Sequence, residues 1–179
     1  GIITAAVLKL FAQPTARTTA LFGLGSVSEA LALLSLARER CDARLTGFEL
    51  MSDFCLQLVE RHFSTLRLPF NQRYPQYVLM ELSTTESEAE AIALLESVAT
   101  QALETSTAHD VVVAISLAQS TALWALRERI SEAQAAEGKN IKHDIALPIS
   151  SIAEFIADTD ATLQQDFLGC RMVTFGHLG

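Results

Sequence analysis

The stretch Tyr77-Val78-Leu79-Met80-Glu81-Leu82-Ser83-Thr84-Thr85-Glu86-Ser87-Glu88 passes from strand chemistry to helix chemistry within a few residues. Tyr77 to Leu82 is a run of aromatic, β-branched and aliphatic residues and reads as a strand. Thr85-Glu86-Ser87-Glu88 has the spacing of a capping box, in which a hydroxyl and a carboxylate satisfy the first free N–H groups of a helix. The spacing predicts a helix from Glu86 to about Glu104, with Ile92, Leu95, Val98 and Leu103 on one face.

The same order repeats on either side. Upstream, Thr18 to Leu24 reads as a strand, and Ser26 to Glu29 as a capping box opening a helix with Ala30, Leu31, Leu34 and Ala37 inward. Leu45 to Leu50 is a further strand, and Ser52 or Asp53 caps a helix that turns Phe54, Leu58 and Val59 inward. Leu66 to Gln76, with Pro69 and Pro75, is a loop. Downstream, Asp110 to Ile115 is a strand and a long helix runs through Leu123, Trp124, Leu126 and Ile130 to Gly138, a good stop. Ile141 to Leu147 alternates like a strand, Ser151 to Glu154 caps a helix through Phe155, Ile156 and Leu163, and Arg171 to Phe175 is the last strand. Ala5 to Phe11, halted by Pro14, is the first.

About seven strands and six helices in this order predict an α+β fold. Its mixed or antiparallel sheet carries helices on one face, similar to duplicated ferredoxin-like units. A doubly wound sheet is the competing architecture. Against it, no glycine-rich phosphate motif opens any helix: Gly23-Leu24-Gly25 has two of the glycines and lacks the third.

Composition narrows the class. Half of the 179 residues are hydrophobic and 19% are charged, enough for a packed core and unlike a disordered chain. The mean hydropathy of +0.28 raises the question of a membrane span. Val111 to Leu126 is the longest charge-free run, but Ser116, Gln119, Ser120 and Thr121 interrupt it short of the length a span needs. A net charge of −8, with no basic stripe, argues against nucleic acid. Three cysteines without metal-like spacing suit a reduced compartment and a cytoplasmic location.

Candidate chemistry is sparse. Arg127-Glu128-Arg129 lies on the long helix, where a solvated charged face is the plain reading. Lys142, His143 and Asp144 lie in the alternating segment, with Lys142 and Asp144 on one face. A helix arginine and the next strand's lysine on one surface would clamp a carboxylate, the fork of one complementing the point charge of the other. His177, in Gly176-His177-Leu178-Gly179, has the chemistry of a general base or a metal ligand. His62 and His109 have no histidine at helical spacing, and Ser116, Ser120 and Cys170 sit in no nucleophile motif.

Four landmarks occur in order: Gly1-Ile-Ile-Thr-Ala-Ala-Val-Leu-Lys-Leu-Phe11, Leu123-Trp124 through Arg127-Glu-Arg-Ile130, Lys142-His-Asp144 with Leu147-Pro148, and Phe175-Gly-His-Leu-Gly179. Together they resemble the C-terminal cap domain of FAD-linked 2-hydroxyacid dehydrogenases. That group includes D-lactate dehydrogenases, the glycolate oxidase flavin subunit and D-2-hydroxyglutarate dehydrogenase. The resemblance implies that residues 1–179 are a cap fragment of an enzyme whose flavin-binding domain lies outside this chain. In the family the last motif continues as Gly-His-x-Gly-Asp-Gly-Asn-x-His.

What the resemblance implies about residues is specific. Arg127 and Lys142 are similar to substrate-carboxylate contacts, Ser131 stands where some members have a substrate-touching threonine, and His177 resembles the first catalytic or metal-binding histidine. His177 alone leaves a metal site incomplete. FAD, and a divalent metal, would serve the full-length enzyme rather than this fragment, which is expected not to turn over alone. Implied partners are a 2-hydroxy acid, the flavin domain, a second copy through an apolar patch near Phe11, Phe175 or Leu178, and a membrane-associated electron acceptor at the inner membrane face. The competing reading is a non-catalytic ferredoxin-like module for ligand sensing or protein interaction.

Overall fold

The computed structural model describes residues 1–10 and 12–178. Among these, the elements are β1 (Ala16–Leu24), α1 (Val27–Cys41), β2 (Leu45–Ser52), α2 (Asp53–His62), β3 (Gln76–Thr84) and α3 (Glu88–Glu104). They continue as β4 (Asp110–Val113), α4 (Leu117–Glu128), α5 (Ile130–Glu137), α6 (Ile152–Asp166) and β5 (Phe175–His177). The fold is α+β. The strands form one sheet in the order β4-β1-β3-β2-β5, and every pairing is antiparallel, which excludes the doubly wound alternative.

β1 and β3 pair along their whole length, from Ala16 opposite Thr84 to Leu24 opposite Gln76. The passes β1-α1-β2 and β3-α3-β4 are therefore two split βαβ halves interleaved in one ferredoxin-like unit. β5 is added at the β2 edge. The Tyr77 to Leu82 and Val111 segments share this sheet as expected.

Helices cover both faces of the sheet, where one was expected. On one side Ala20, Phe22, Phe48, Leu50, Val78 and Met80 pack with α1 and α3, with Ile152 and Ile156 of α6 against them. On the other, Leu21, Met51, Tyr77 and Leu79 pack with Leu56 and Val59 of α2, Leu123 and Leu126 of α4, and Ile130 and Ala133 of α5. The cause is in the strands: neighbours such as Val78 and Leu79 point to opposite faces, and both are fully buried. A strand apolar on both faces needs a layer on each.

Helix starts follow the capping chemistry with local shifts. Ser26 Oγ accepts from the Glu29 N–H, while the Glu29 carboxylate accepts from the Gly25 N–H at 2.7 Å. The second capping box is Ser87 with Glu90, not Thr85 with Glu88: both reciprocal bonds are present there, and α3 starts at Glu88. Thr84 Oγ1 instead accepts from the Glu86 N–H in the turn before it. Ser151 makes no side-chain cap bond, because a short 3-10 turn from Ile149 to Ser151 leads into α6. The long helix predicted to reach Gly138 divides at Arg129 into α4 and α5.

Three expected strands change. Residues 5–10 pair with no strand and are exposed, and Phe11 lies outside the described residues. Ile141 to Leu147 forms no strand either. It is exposed throughout, with Ile141 at 85%, so its alternating apolar side chains find no layer to bury them and no strand to pair with. The last strand is Phe175 to His177 rather than Arg171 to Phe175, fixed by pairing with Glu49 to Met51.

Candidate functional site

The site begins with the placement of α4 on the sheet. Gly47 follows an irregularity in the β2–β3 register and lies beneath Trp124. The indole N–H donates to the Glu81 carboxylate on β3 at 2.8 Å. With Leu123 and Leu126 buried on the same helix, α4 is fixed in rotation, and Arg127 projects over the β2–β5 edge.

Glu49 stands at that edge, only 12% of its side chain exposed. In the β2–β5 ladder its direct partner is His177, and Phe175 is opposite Met51, so all four side chains share the α4 face. Arg127 Nε donates to Glu49 Oε2 at 2.8 Å, and His177 Nδ1 lies 3.0 Å from Glu49 Oε1. The Arg127 guanidinium also covers the Phe175 ring, 4.5 Å from its centroid. Each carboxylate oxygen thus serves one partner. The two Nη groups of Arg127 make no hydrogen bond to the described residues. With Nδ1–H donating to Glu49, His177 keeps its Nε2 lone pair, the tautomer suited to accept a proton.

Arg127 and His177, two of the four residues singled out in the sequence, are therefore brought together. The other two are not in contact with them. Ser131 is exposed on α5, and Lys142 is exposed in the segment between α5 and the turn at Ile149, with no hydrogen bond or ion pair among the described residues. Glu49 was missed by sequence reasoning. Its only signal was a lone acidic residue inside the apolar Leu45–Leu50 run.

The remaining candidates have structural partners. His62 Nε2 lies 2.8 Å from Glu137 Oε2, and Arg61 and Arg171 both donate to Glu137 Oε1 at 2.6 Å. These contacts, with the one to His62 largest, hold the Glu137 carboxyl down to about 2. His109 stacks on Tyr74 and faces Glu29 at 3.2 Å. Ser120 is hydrogen-bonded to Thr19 at 2.7 Å, and Ser116 caps α4. Cys55, below the strand that leads to Phe175, donates to the Thr174 carbonyl, and burial pushes its thiol up to about 11. Leu178 is buried beside the α1 layer and Phe175 is covered by Arg127, so neither forms the exposed apolar patch expected there.

A family model described as "FAD linked oxidases, C-terminal domain" matches residues 13–179. The chain belongs to this family. Among curated relatives, it is similar to a D-2-hydroxyglutarate dehydrogenase of Danio rerio, 31% identical over all of this chain and 33% of that protein. It is also similar to one of Xanthomonas citri pv. viticola, 33% identical over 100% of this chain and 36% of the relative. A Schizosaccharomyces pombe protein named for D-lactate dehydrogenase is 31% identical over 100% of this chain and 35% of its own length. The chain spans about a third of the length of these relatives.

The residues present can be tested against the groups such a cap domain implies. Gly23 and Gly25 offer no phosphate cradle, because a Cβ at Gly23 would fall 2.3 Å from the Tyr74 ring and one at Gly25 3.0 Å from His109. Among the described residues no three His, Cys, Asp or Glu side chains converge as metal ligands; His177 and Glu49 make only a pair, which does not fit a metal centre. No helix among them is long and apolar enough to cross a membrane.

Proposed function

We infer that this chain is the substrate-binding cap of an FAD-dependent oxidoreductase that oxidises a 2-hydroxy acid to the 2-oxo acid. The observation that carries the reading is the pairing of Arg127 and His177 on one carboxylate, with both Nη groups of the one and Nε2 of the other unused among the described residues. The Nη edge of Arg127 binds the substrate carboxylate as a planar fork. His177 Nε2 takes the proton of the C2 hydroxyl as the C2 hydride departs. FAD, held elsewhere in the full-length enzyme, supplies the two-electron acceptor.

Lys142 and Ser131 are further substrate contacts in this reading, Lys142 arriving with its exposed segment once substrate and flavin domain are in place. D-2-hydroxyglutarate and D-lactate are the substrates favoured by the names of the relatives, with glycolate as a smaller member of the class. The cap excludes water from the reacting centre. This chain alone leaves the clamp wet, so it binds 2-hydroxy acids at about millimolar or weaker and turns nothing over.

The test is steady-state kinetics of the full-length, flavin-loaded enzyme on a panel of 2-hydroxy acids and on matched alcohols without a carboxylate. Only the acids are oxidised, and Arg127→Ala lowers kcat/KM at least about tenfold. Equal turnover of the alcohols, or an Arg127→Ala enzyme with unchanged kcat/KM, would overturn the reading.

A further inference from the structure

We propose that Glu49 is a positioning residue for this site, a single carboxylate that aims Arg127 and His177 at one substrate. The inference rests on the cap reading above and adds to it the residue that makes Arg127 and His177 act together.

The placement of Glu49 is expensive for the fold alone. The residue is 9% exposed, on the sheet face where Leu21, Met51 and Leu79 form an apolar layer. A carboxylate leaving water for such a place costs free energy unless its oxygens are fully used. The β2–β5 pairing does not need it, since the neighbouring residues of that ladder are held through backbone hydrogen bonds, as in Leu178 N–H to Phe48 O at 2.9 Å. A carboxylate kept only to neutralise Arg127 would need one oxygen. Here the second oxygen is spent on His177, whose other partner-seeking atom is left open.

The geometry divides the work between the two oxygens. Oε2 holds Arg127 through Nε, the one guanidinium nitrogen whose use leaves the parallel Nη pair for a second carboxylate. Oε1 accepts from His177 Nδ1–H and fixes the tautomer with its lone pair on Nε2. Phe175, under the guanidinium, limits its swing to the plane above the ring. Glu81, on the neighbouring strand, bonds to Trp124, and among the described residues the carboxylate that Arg127 bonds to is Glu49.

A glutamine at position 49 cannot serve both partners at once. Its one carbonyl oxygen can accept from Arg127 or from His177, and its amide group toward His177 would favour the opposite tautomer. The test uses the full-length, flavin-loaded enzyme with the best substrate of the panel above, and measures affinity for the corresponding 2-oxo acid by calorimetry beside kcat. Glu49→Gln lowers both product affinity and kcat by about 10- to 100-fold, as outer partners of site residues do.

The diagnostic is non-additivity. In an Arg127→Ala background Glu49→Gln costs no further affinity, and in a His177→Ala background it costs no further kcat. Glu49→Asp keeps the charge on a shorter arm and recovers part of the loss, and it carries the test if Glu49→Gln fails to fold by thermal unfolding. A merely structural role would give the same fractional loss in every background, and that result overturns the proposal. So does a Glu49→Gln enzyme with wild-type affinity and kcat. If Arg127→Ala and His177→Ala are damaging while Glu49→Gln is silent, this inference alone fails; if Arg127→Ala leaves affinity unchanged, the cap reading fails and takes it down.

Discussion

Gly47 lies directly beneath Trp124: a Cβ added there would come 3.3 Å from the indole Cζ2 and 3.2 Å from the Glu81 Cβ. Gly23 has a harder neighbour, with the Tyr74 ring 2.3 Å from the same atom. Substitution of the two glycines by alanine should therefore separate. Gly23→Ala displaces a buried ring and should destabilise by about 1–3 kcal/mol. Gly47→Ala needs a shift of only a few tenths of an ångström and should cost less in stability, while moving α4 and weakening substrate binding through Arg127. Denaturant unfolding of both variants checks the order; a larger loss for Gly47→Ala would contradict it.

Tyr77 ties the loop before β3 to α2. Its hydroxyl accepts from the buried Tyr74 N–H at 2.8 Å and donates to Asp53 at 3.3 Å. Tyr77→Phe strands that N–H and should cost about 1–3 kcal/mol. Desolvation pushes the phenol up to about 12. An acid whose pKa is raised in the folded state favours folding below its unfolded value, so this contribution is complete below about pH 10. It is lost as pH climbs through about 12. Alkaline unfolding of Tyr77→Phe should be flatter over that window than that of wild type, and identical profiles would refute the assignment.

Glu137 gathers His62, Arg61 and Arg171. A carboxyl held at about 2 when folded and at 4.5 ordinarily stabilises the folded state above the higher value and loses that contribution as pH falls toward the lower. Wild type should exceed Glu137→Gln in stability at neutral pH, with the gap closing between about pH 4.5 and 2. Melting temperatures measured down that range decide it; a gap constant with pH would show that the cluster acts through packing alone.

Cys170 is exposed, while Cys41 and Cys55 are buried with thiols pushed upward by desolvation. Because the thiolate is the reactive form, a maleimide at neutral pH should label Cys170 alone in the native protein and all three after denaturation. Mass spectrometry of the labelled peptides reads this directly; native labelling of Cys55 would contradict the buried environment.

Legibility in the sequence follows the range of the forces involved. The strand at Tyr77, the helix after it and the antiparallel α+β class rest on local periodicity and capping, and these are readable. Ser87 displaces Thr85 as the cap because Thr84 and Glu86 close a turn first, a competition among neighbours that spacing cannot rank. The second helical layer is written in the unbroken apolar run from Tyr77 to Met80, although helix order alone suggests a single covered face. Ile141 to Leu147 alternates as well as any strand, but alternation does not say whether a sheet edge lies within reach, and this segment pairs with none. Arg127 and His177 stand out through their flanking motifs. Glu49 carries no motif, and its importance comes from a ladder register that only the folded sheet defines.

The contact between Glu49 and His177 joins residues 128 apart in the chain, through a strand of three residues at the margin of the sheet. Closing so long a loop returns little enthalpy until the central strands are in place, so the site is assembled late in folding. The same economy works in reverse. β5 can peel from β2 while β1 and β3 stay paired, and its amides should exchange with solvent through this partial opening well before those of the central strands. The pairing that orients the imidazole is thus a local equilibrium of its own, and a bound substrate spanning Arg127 and His177 would draw it closed and slow that exchange.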